Sequence, residues 1–298
     1  MRSPSLKVLM WTCLTLSITA AWAEDAVKPD ADGNSPAAAA TPTSEWKKQI
    51  VASMNLNQAA FNSWAQGGTD MVSWAAALNA RFEQDNSGIN WLNTLKLQYG
   101  LTYLANQGTQ ISADTIDLES VYSWKTWPKI NPYLSFSAQS QFGPGYNYSV
   151  SPAVEISNFM DPGYFTESAG LKYVPDTVFN TRLGLGLKET LANQFQVPYT
   201  VDPNTSQAQS LLIQLGLSWV SELNVKLLKE TSFDSKLDTF WPGGSLDHTV
   251  VEWDNLLSVN LNKIISLNVE NDYRYDSKIY NGLQIKETLG LGFAYSLL

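Results

Sequence analysis

The residue types that most often carry catalysis are scarce in this chain. His248 is the single histidine among 298 residues. A serine hydrolase needs a base close to its nucleophile. On a strand, the residue that shares a face with His248 two positions later is Val250 rather than serine. We therefore predict no catalytic residues and no enzyme, and we interpret His248 as an exposed residue at the rim of the fold.

Metal and cofactor sites lack their usual ligands. The single cysteine, Cys13, lies in an apolar N-terminal stretch, so thiolate metal sites are excluded from the rest of the chain. Asp234 and Asp238 fall beside a predicted surface loop and could bind calcium weakly, although solvated loop charge is the simpler interpretation. The GLG segments at 184–186 and 290–292 alternate as strands do and form no phosphate-binding loop. We predict no metal and no cofactor.

Charged side chains at alternate positions of apolar segments are the remaining candidates for function. Alternate side chains of a strand share one face, so these residues would line the lumen of a barrel. There they either filter solutes or pair across the interior and plug it, and the sequence leaves both possibilities open. Basic residues cluster toward the early strands and acidic ones on the tenth and eleventh, which would orient a dipolar solute. The proposed lumen-lining residues are Arg81, Glu83, Lys96, Glu119, Lys125, Arg182, Lys188, Glu252, Asp254, Glu270, Asp272 and Arg274.

The elements that position these charges are strands with a period of two. In LQIKETLGLGFAYSLL (283–298), leucine, isoleucine, phenylalanine and tyrosine occupy most positions of one parity, and small or polar residues occupy the other. Strands of soluble proteins usually have about 5–6 residues, whereas a tilted membrane strand needs about 9–11. Twelve long segments show the alternation: 46–57, 70–84, 89–104, 115–127, 130–142, 163–174, 178–191, 208–221, 223–236, 248–261, 263–276 and 282–297.

The connections between these segments predict how they are arranged. Long loops at 58–69, 105–114, 143–162, 192–207 and 237–247 alternate with short turns near 85–88, 128–129, 175–177, 222 and 262. Outer-membrane barrels have short periplasmic turns and longer outer loops. We predict an all-β, antiparallel, up-and-down transmembrane barrel of about twelve strands, with both termini on the periplasmic side. A soluble β-sandwich is the rival fold.

Aromatic residues at the apolar positions of the alternating pattern lie near the predicted turns and loops. A ring of aromatics at one end is typical of a membrane interface. The predicted periplasmic girdle is Trp46, Trp91, Trp124, Phe179, Trp219 and Tyr295. At the other end, the stretch FNSWAQGGTDMVSW (61–74) supplies the predicted outer rim, in which Gly67 and Gly68 make the bend. Trp74 would anchor the rim, and Trp64 would lie in the loop itself.

The first 45 residues predict export. Residues 1–23 combine two basic residues, a short apolar core and Ala-Trp-Ala, as a cleaved signal peptide does. Residues 24–45 contain no aromatic residue and are rich in Ala, Asp and Pro, which predicts a disordered periplasmic arm. The net charge of −9 disfavours nucleic acid as a partner. We expect the barrel (46–298) to lie in the bacterial outer membrane, with its lipid and the barrel-assembly machinery as partners. The oligomeric state is left open.

Two short motifs carry a resemblance to a known family. Trp64-x-x-Gly67-Gly68 and the strand that begins Trp91-Leu92-Asn93, together with the Gly-rich last strand, resemble an uncharacterised family of bacterial outer-membrane barrels. That family is classed as a domain of unknown function. The resemblance implies a barrel over residues 46–298 and supplies no catalytic residues.

Three functions are compatible with these predictions. The first is a narrow passive channel for small hydrophilic solutes. The second is a non-conducting structural or adhesion barrel that binds a partner through the loops at 143–162 and 192–207, which are rich in Tyr, Asn and Pro. The third is an outer-membrane lipid hydrolase, which the missing partner of His248 disfavours.

Overall fold

The chain folds as a closed barrel of twelve antiparallel strands, as predicted from the alternation. The computed structural model describes residues 46–60, 69–202, 205–243, 248–262 and 264–296. The strands are β1 (Trp46–Ala59), β2 (Met71–Asp85), β3 (Ile89–Leu104), β4 (Gly108–Trp124), β5 (Ile130–Ser140), β6 (Gly145–Asn147), β7 (Val154–Ser157), β8 (Gly163–Tyr173), β9 (Phe179–Leu191), β10 (Leu211–Leu228), β11 (Thr231–Pro242), β12 (Val250–Asn260), β13 (Ile265–Asp276) and β14 (Tyr280–Ser296).

Each barrel strand pairs with its neighbour in the sequence, and β14 closes the barrel by pairing with β1. The short strands β6 and β7 form a separate two-stranded sheet, so β5 pairs directly with β8. Trp46 at the start of β1 and Ser296 at the end of β14 lie at the same end of the barrel, here named the terminal end. The opposite end is named the loop end.

The two faces of the strands differ as the alternation predicts. On β10, Ile213 and Leu215 are 53% and 66% exposed on the outer face, whereas Leu212 between them is 5% exposed. The inner face is filled by polar and small residues. Tyr133, 1% exposed, fits inside because Gly184 has no side chain. A Cβ atom at Gly184 would lie 2.7 Å from the Tyr133 hydroxyl.

Three of the predicted connections are wrong, and one of them, the loop expected at 237–247, begins only after Pro242, where β11 ends. β4 begins at Gly108, so the expected long loop 105–114 is a three-residue turn at 105–107. The pairing of β3 with β4 shifts register between Gly100 and Leu101, and this bulge interrupts the period that would have revealed the strand. β10 continues to Leu228, so the expected turn near 222 lies at 229–230.

These corrections remove the strict alternation of long and short connections. At the loop end, the turns 105–107 and 277–279 are as short as those at the terminal end. The long connections at the loop end, 141–162 and 192–210, lie close to each other in the barrel order, on either side of the β8–β9 pair.

Those two long loops are fastened together by Asp161. Its carboxylate accepts backbone N–H groups of Asn193, Gln194 and Phe195 at 3.0, 2.7 and 3.2 Å. Loop 192–210 also holds the short helix α1 (Gln196–Tyr199). Within the described ranges, no helix is long and apolar enough to span a membrane.

Several predictions concern residues that the structure does not describe. The predicted signal peptide (1–23), the predicted arm (24–45) and the rim residues Trp64, Gly67 and Gly68 lie outside the described residues.

Candidate functional site

The lumen is the candidate site, and the structure brings most of the predicted lining residues together there. Arg81, Lys96, Glu119, Lys188, Glu252, Asp254, Glu270, Asp272 and Arg274 line cavities inside the barrel. Arg182 is 3% exposed and contacts Glu119. Glu83 pairs with Arg81 at 3.1 Å. Lys125 is the exception, because it lies in the turn after β4 and pairs with Asp85 at 2.6 Å.

A buried ionic cluster crosses the middle of the lumen. The Glu119 carboxylate on β4 pairs with the guanidinium of Arg182 on β9. Its other oxygen, Oε2, lies 2.9 Å from Nζ of Lys236 on β11. Arg182 Nη1 also lies 3.2 Å from Glu222 Oε1 on β10. β4 and β11 have four strands between them on one side and six on the other. The Glu119–Lys236 contact therefore spans the barrel interior.

A second contact bridges the lumen from β3 to β13. Lys96 Nζ lies 3.3 Å from Glu270 Oε1, and the strands β2, β1 and β14 separate the two. Further pairs lie along β12 to β14. Arg274 Nη1 is 2.5 Å from Asp254 Oδ1, and Lys286 Nζ is 3.5 Å from Asp272 Oδ2.

Two cavities of about 280 Å³ each occupy the lumen on either side of these pairs. The loop-side cavity reaches Gln141 and Pro162 beside loop 141–162. The terminal-side cavity reaches Arg81, Leu92 and Asn224. Both cavities are lined by Lys96, Asp117, Asp254 and Asp272. Among the described residues, the side chains of these four residues therefore lie between the two cavities.

A third, small cavity of about 30 Å³ adjoins the loop-side one. Lys188, Asp238 and Phe240 contribute to its wall, and it shares Gln139, Tyr164 and Glu252 with the loop-side cavity. In the part of the chain that the structure describes, no three His, Cys, Asp or Glu side chains are arranged to hold a metal ion.

Several charged lumen residues are absent from the predicted set, among them Asp117, Glu222, Lys236, Asp238 and Lys286. Asp117, Lys236 and Lys286 occupy inner positions of predicted segments, so the sequence contained their signal. The turn wrongly placed near 222 hid Glu222, and the loop wrongly begun at 237 hid Asp238. Asp234 and Asp238 lie on the inner face of β11. Their assignment to a calcium-binding outer loop is wrong, because β11 continues to Pro242.

The predicted girdle residues divide into two groups. At the terminal end, Trp46 and Trp91 lie 5.3 Å apart by ring centroid, and Tyr122 links Trp91 to Trp124 at 6.0 and 4.9 Å. These rings form one continuous patch on the outer face.

The second group is spread out. Trp219 stacks on Trp241 at 5.9 Å in the middle of β10. Its expected place beside a turn is wrong, because β10 runs nine residues further. Phe179 begins β9, and Tyr295 pairs with Ala52 of β1. Trp74, the predicted rim anchor, lies near the loop end of β2, 6.2 Å from Tyr99.

His248 adopts a different environment from the exposed rim position expected. It is half-buried two residues before the start of β12, and its buried Nδ1 atom has no hydrogen-bond partner among the described residues. The first residue of β12, Val250, is 8% exposed.

A family match covers the first part of the barrel. Residues 56–146 match the family described as protein of unknown function (DUF3078). The matched range extends from β1 to β6 and contains β2 to β5 completely. This match confirms the predicted resemblance to an uncharacterised family. No curated protein matches the chain in sequence.

Solved structures similar to this one are barrels of the outer membrane. The NanC porin has a TM-score of 0.42 at 10% identity, over 82% of this chain and 98% of its own. An outer-membrane channel from Pseudomonas putida F1 has a TM-score of 0.40 at 9% identity, over 89% of this chain and 100% of its own. The translocator domain of the autotransporter NalP from Neisseria meningitidis has a TM-score of 0.37 at 11% identity, over 83% of this chain and 88% of its own. The architecture described above rests on the strand pairing of this chain itself.

Proposed function

We propose that this chain is a bacterial outer-membrane barrel that works as a narrow passive channel for small hydrophilic solutes. The observation that carries the proposal is the pair of polar cavities that meet at Lys96, Asp117, Asp254 and Asp272 inside the closed barrel. A path bounded by flexible side chains can open by rotamer changes, which take picoseconds to nanoseconds where the side chains are exposed.

The outer surface supports placement in a membrane. Leucines with exposed fractions of 65% (Leu185), 66% (Leu215) and 64% (Leu289) occur on three different strands of the outer face. Contiguous exposed apolar surface on this scale marks contact with lipid or protein. In the proposal, outer-membrane lipid covers this surface, the signal peptide of residues 1–23 directs export, and the barrel-assembly machinery inserts the folded strands.

The cross-lumen pairs make the proposed channel narrow. Glu119 with Lys236, and Lys96 with Glu270, leave no straight path for a large solute. Ions and small molecules would pass when these side chains move aside. The lumen therefore selects by size and by charge, as mixed rings of charged side chains do.

Conductance of the refolded full chain in planar bilayers tests this function. We expect small, ohmic steps in potassium chloride, larger in the variant Lys236→Ala, which removes the side chain that reaches across the lumen. Heat-modifiable mobility on gels shows whether each variant is folded. A folded barrel without conductance, in both the wild type and Lys236→Ala, would argue for a plugged structural barrel.

A second function, partner binding by the outer loops, is favoured by one observation. Asp161 orders the two long loops into a single surface, on which Val154, Ile156 and Phe159 are 53%, 43% and 57% exposed. Deletion of residues 144–159 should abolish such binding and leave the barrel folded. If the deletion variant still conducts and no binding partner of the wild type is lost, the result favours the channel.

The proposal includes no catalytic role. His248 has no serine at the same-face position two residues later, and its buried Nδ1 has no partner among the described residues. Incubation of the folded barrel with phospholipid vesicles should release no fatty acid, and His248→Asn should behave as the wild type does.

A further inference from the structure

The loop-side half of the lumen contains charged side chains that make no ion pair with the described residues. The loop-side cavity and the small cavity share Gln139, Tyr164 and Glu252 in their walls. These two adjoining spaces are named the loop-side chamber. Most charged residues of this chamber have an ionic partner, as Arg274 has with Asp254 and Lys286 with Asp272. The residues that lack one lie on β4, β9 and β11.

The positive pole of the chamber is Lys188 on β9. Its Nζ lies 5.3 Å from the ring centroid of Tyr164 and 5.9 Å from that of Phe240. Among the described residues, no carboxylate lies within ion-pair distance of this amine. Lys278, in the turn between β13 and β14, donates to Gln214 Oε1 at 3.1 Å. Burial lowers the pKa of Lys278, the carboxylate of Asp276 raises it, and the positive charge of Lys188 lowers it. Gln214 is also the cross-strand partner of Lys188, so the two amines share one region.

The negative pole consists of Asp117 on β4 and Asp238 on β11. Asp117 lines the loop-side cavity and Asp238 the small one. Neither carboxylate makes a hydrogen bond or ion pair with the described residues. Close to Asp117, the buried Oδ1 atom of Asp272 also lacks a hydrogen bond. A buried charge without a partner is costly, and a ligand of opposite charge removes that cost.

We propose that the loop-side chamber binds a small zwitterion, with its carboxylate at Lys188 and its ammonium group at Asp117 and Asp238. The inference rests on the proposed channel function and names the class of solute. A ligand with a single charge satisfies one pole and leaves the other unpaired, so a zwitterion binds more tightly. The volume of about 280 Å³ lies just below the range of sites for drug-sized ligands, about 300–1,000 Å³, which suits a solute the size of an amino acid.

Calorimetric titration of the detergent-purified full chain tests the site. The probes are glycine, β-alanine and 4-aminobutyrate, which carry both charges at increasing separation, with acetate and methylammonium as single-charge probes. We expect at least one amino acid to bind tenfold or more tightly than either single-charge probe. Equal or weaker binding of all three amino acids overturns the proposal.

Variants locate the two poles. Lys188→Met and Asp117→Asn should each weaken amino-acid binding tenfold or more. The matched controls are Lys226→Met, on β10 near the terminal end, and Asp234→Asn, in the terminal-side cavity; both should bind as the wild type does. The inference is wrong if the controls weaken binding as much as the chamber variants do. Heat-modifiable gel mobility verifies folding of all four variants.

Titration and conductance separate this inference from the proposed function. Equilibrium binding needs access from one end only, whereas conductance needs a path through the whole lumen. Binding without conductance would leave the site standing and contradict the channel. Conductance without amino-acid binding would leave the channel standing and contradict the site.

Discussion

Lys236 Nζ and Glu119 Oε2 lie 2.9 Å apart, although their strands stand almost opposite each other in the barrel. Glu119 also pairs with Arg182, and the side chains of Glu119 and Arg182 are 9% and 3% exposed. One carboxylate thus neutralises two cations that approach from different sides of the lumen. The cluster joins distant strands, so it stabilises the closed barrel and narrows its interior.

Removing this carboxylate should strongly destabilise the barrel. After Glu119→Gln, Arg182 keeps only its ion pair with Glu222, and Lys236 loses its ion-pair partner. Breaking a buried pair costs about 3–5 kcal/mol, and we expect a loss near the lower limit, because the Lys236 side chain is 33% exposed. Urea unfolding of the barrel in lipid vesicles measures it. Asp85→Asn, in the half-exposed pair with Lys125, is the control and should cost at most about 1 kcal/mol. Similar losses for both variants would contradict a central role for Glu119.

Charge selectivity should follow the inner basic residues. The double variant Arg182→Met with Lys188→Met removes two positive charges from the lumen, so the channel should become more selective for cations. Lys188→Met alone should give a smaller shift of the same sign. The reversal potential under a potassium chloride gradient measures the shift. Lys48→Met, on the outer face of β1, is the control; a shift of equal size there would contradict the assignment of the lumen.

Tryptophan N–H groups on the outer face are satisfied by hydroxyls of neighbouring strands. Trp253 Nε1 donates to Ser235 Oγ at 3.0 Å, and Ser235 Oγ donates to Asn255 Oδ1 at 2.8 Å. Trp91 and Ser120 form the same contact at 3.0 Å.

Ser235→Ala should therefore lower the free energy of unfolding by more than Asn255→Ala does. It leaves the indole N–H and the Asn255 side-chain carbonyl oxygen without a partner, and the buried Asn255 oxygen alone should cost about 1–3 kcal/mol. Asn255→Ala leaves the Trp253–Ser235 bond intact and removes, besides the acceptor of Ser235, only the long 3.5 Å bond from Nδ2 to the Asn271 carbonyl oxygen, so its cost should be smaller. Urea unfolding in vesicles compares the two, and the reverse order would contradict this account.

The loop surface should depend on one carboxylate. Asp161→Ala removes the acceptor of three backbone N–H groups, so the amides of Asn193, Gln194 and Phe195 should exchange with deuterium at least about tenfold faster. The barrel strands should keep their protection, because their ladders are unaffected. Asp176→Ala, in the turn between β8 and β9 at the terminal end, is the control. Unchanged exchange in Asp161→Ala would show that other contacts hold the loops together.

Gly184 should be intolerant of a side chain. A Cβ atom at this position would clash with the backbone carbonyl of Ala169 on β8 and lie 2.7 Å from the Tyr133 hydroxyl, so Gly184→Ala should destabilise the barrel by about 1–3 kcal/mol. Gly143, whose Cβ would meet nothing within 4 Å, is the matched control and should tolerate alanine. Equal unfolding free energies for the two variants would mean that β8 and Tyr133 move aside without cost.

The sequence by itself determined the strands and their faces. A period of two assigns each side chain to one face, so the apolar exterior, the charged interior and the even number of strands could all be inferred from local patterns. Where the pattern was interrupted, by the bulge between β3 and β4, the start of β4 was missed. A continuous alternation cannot show where a hairpin turns, which is why the end of β10 was misplaced.

Only the tertiary structure decided which inner charges meet. Glu119 and Lys236 are 117 positions apart in the sequence, and their contact depends on how the strands are staggered when the barrel closes. Alternation fixes the face of a residue but carries no information about its height in the lumen relative to a residue five strands away. The physical reason is that stagger is a property of the closed sheet as a whole, whereas the period of two is a property of each strand.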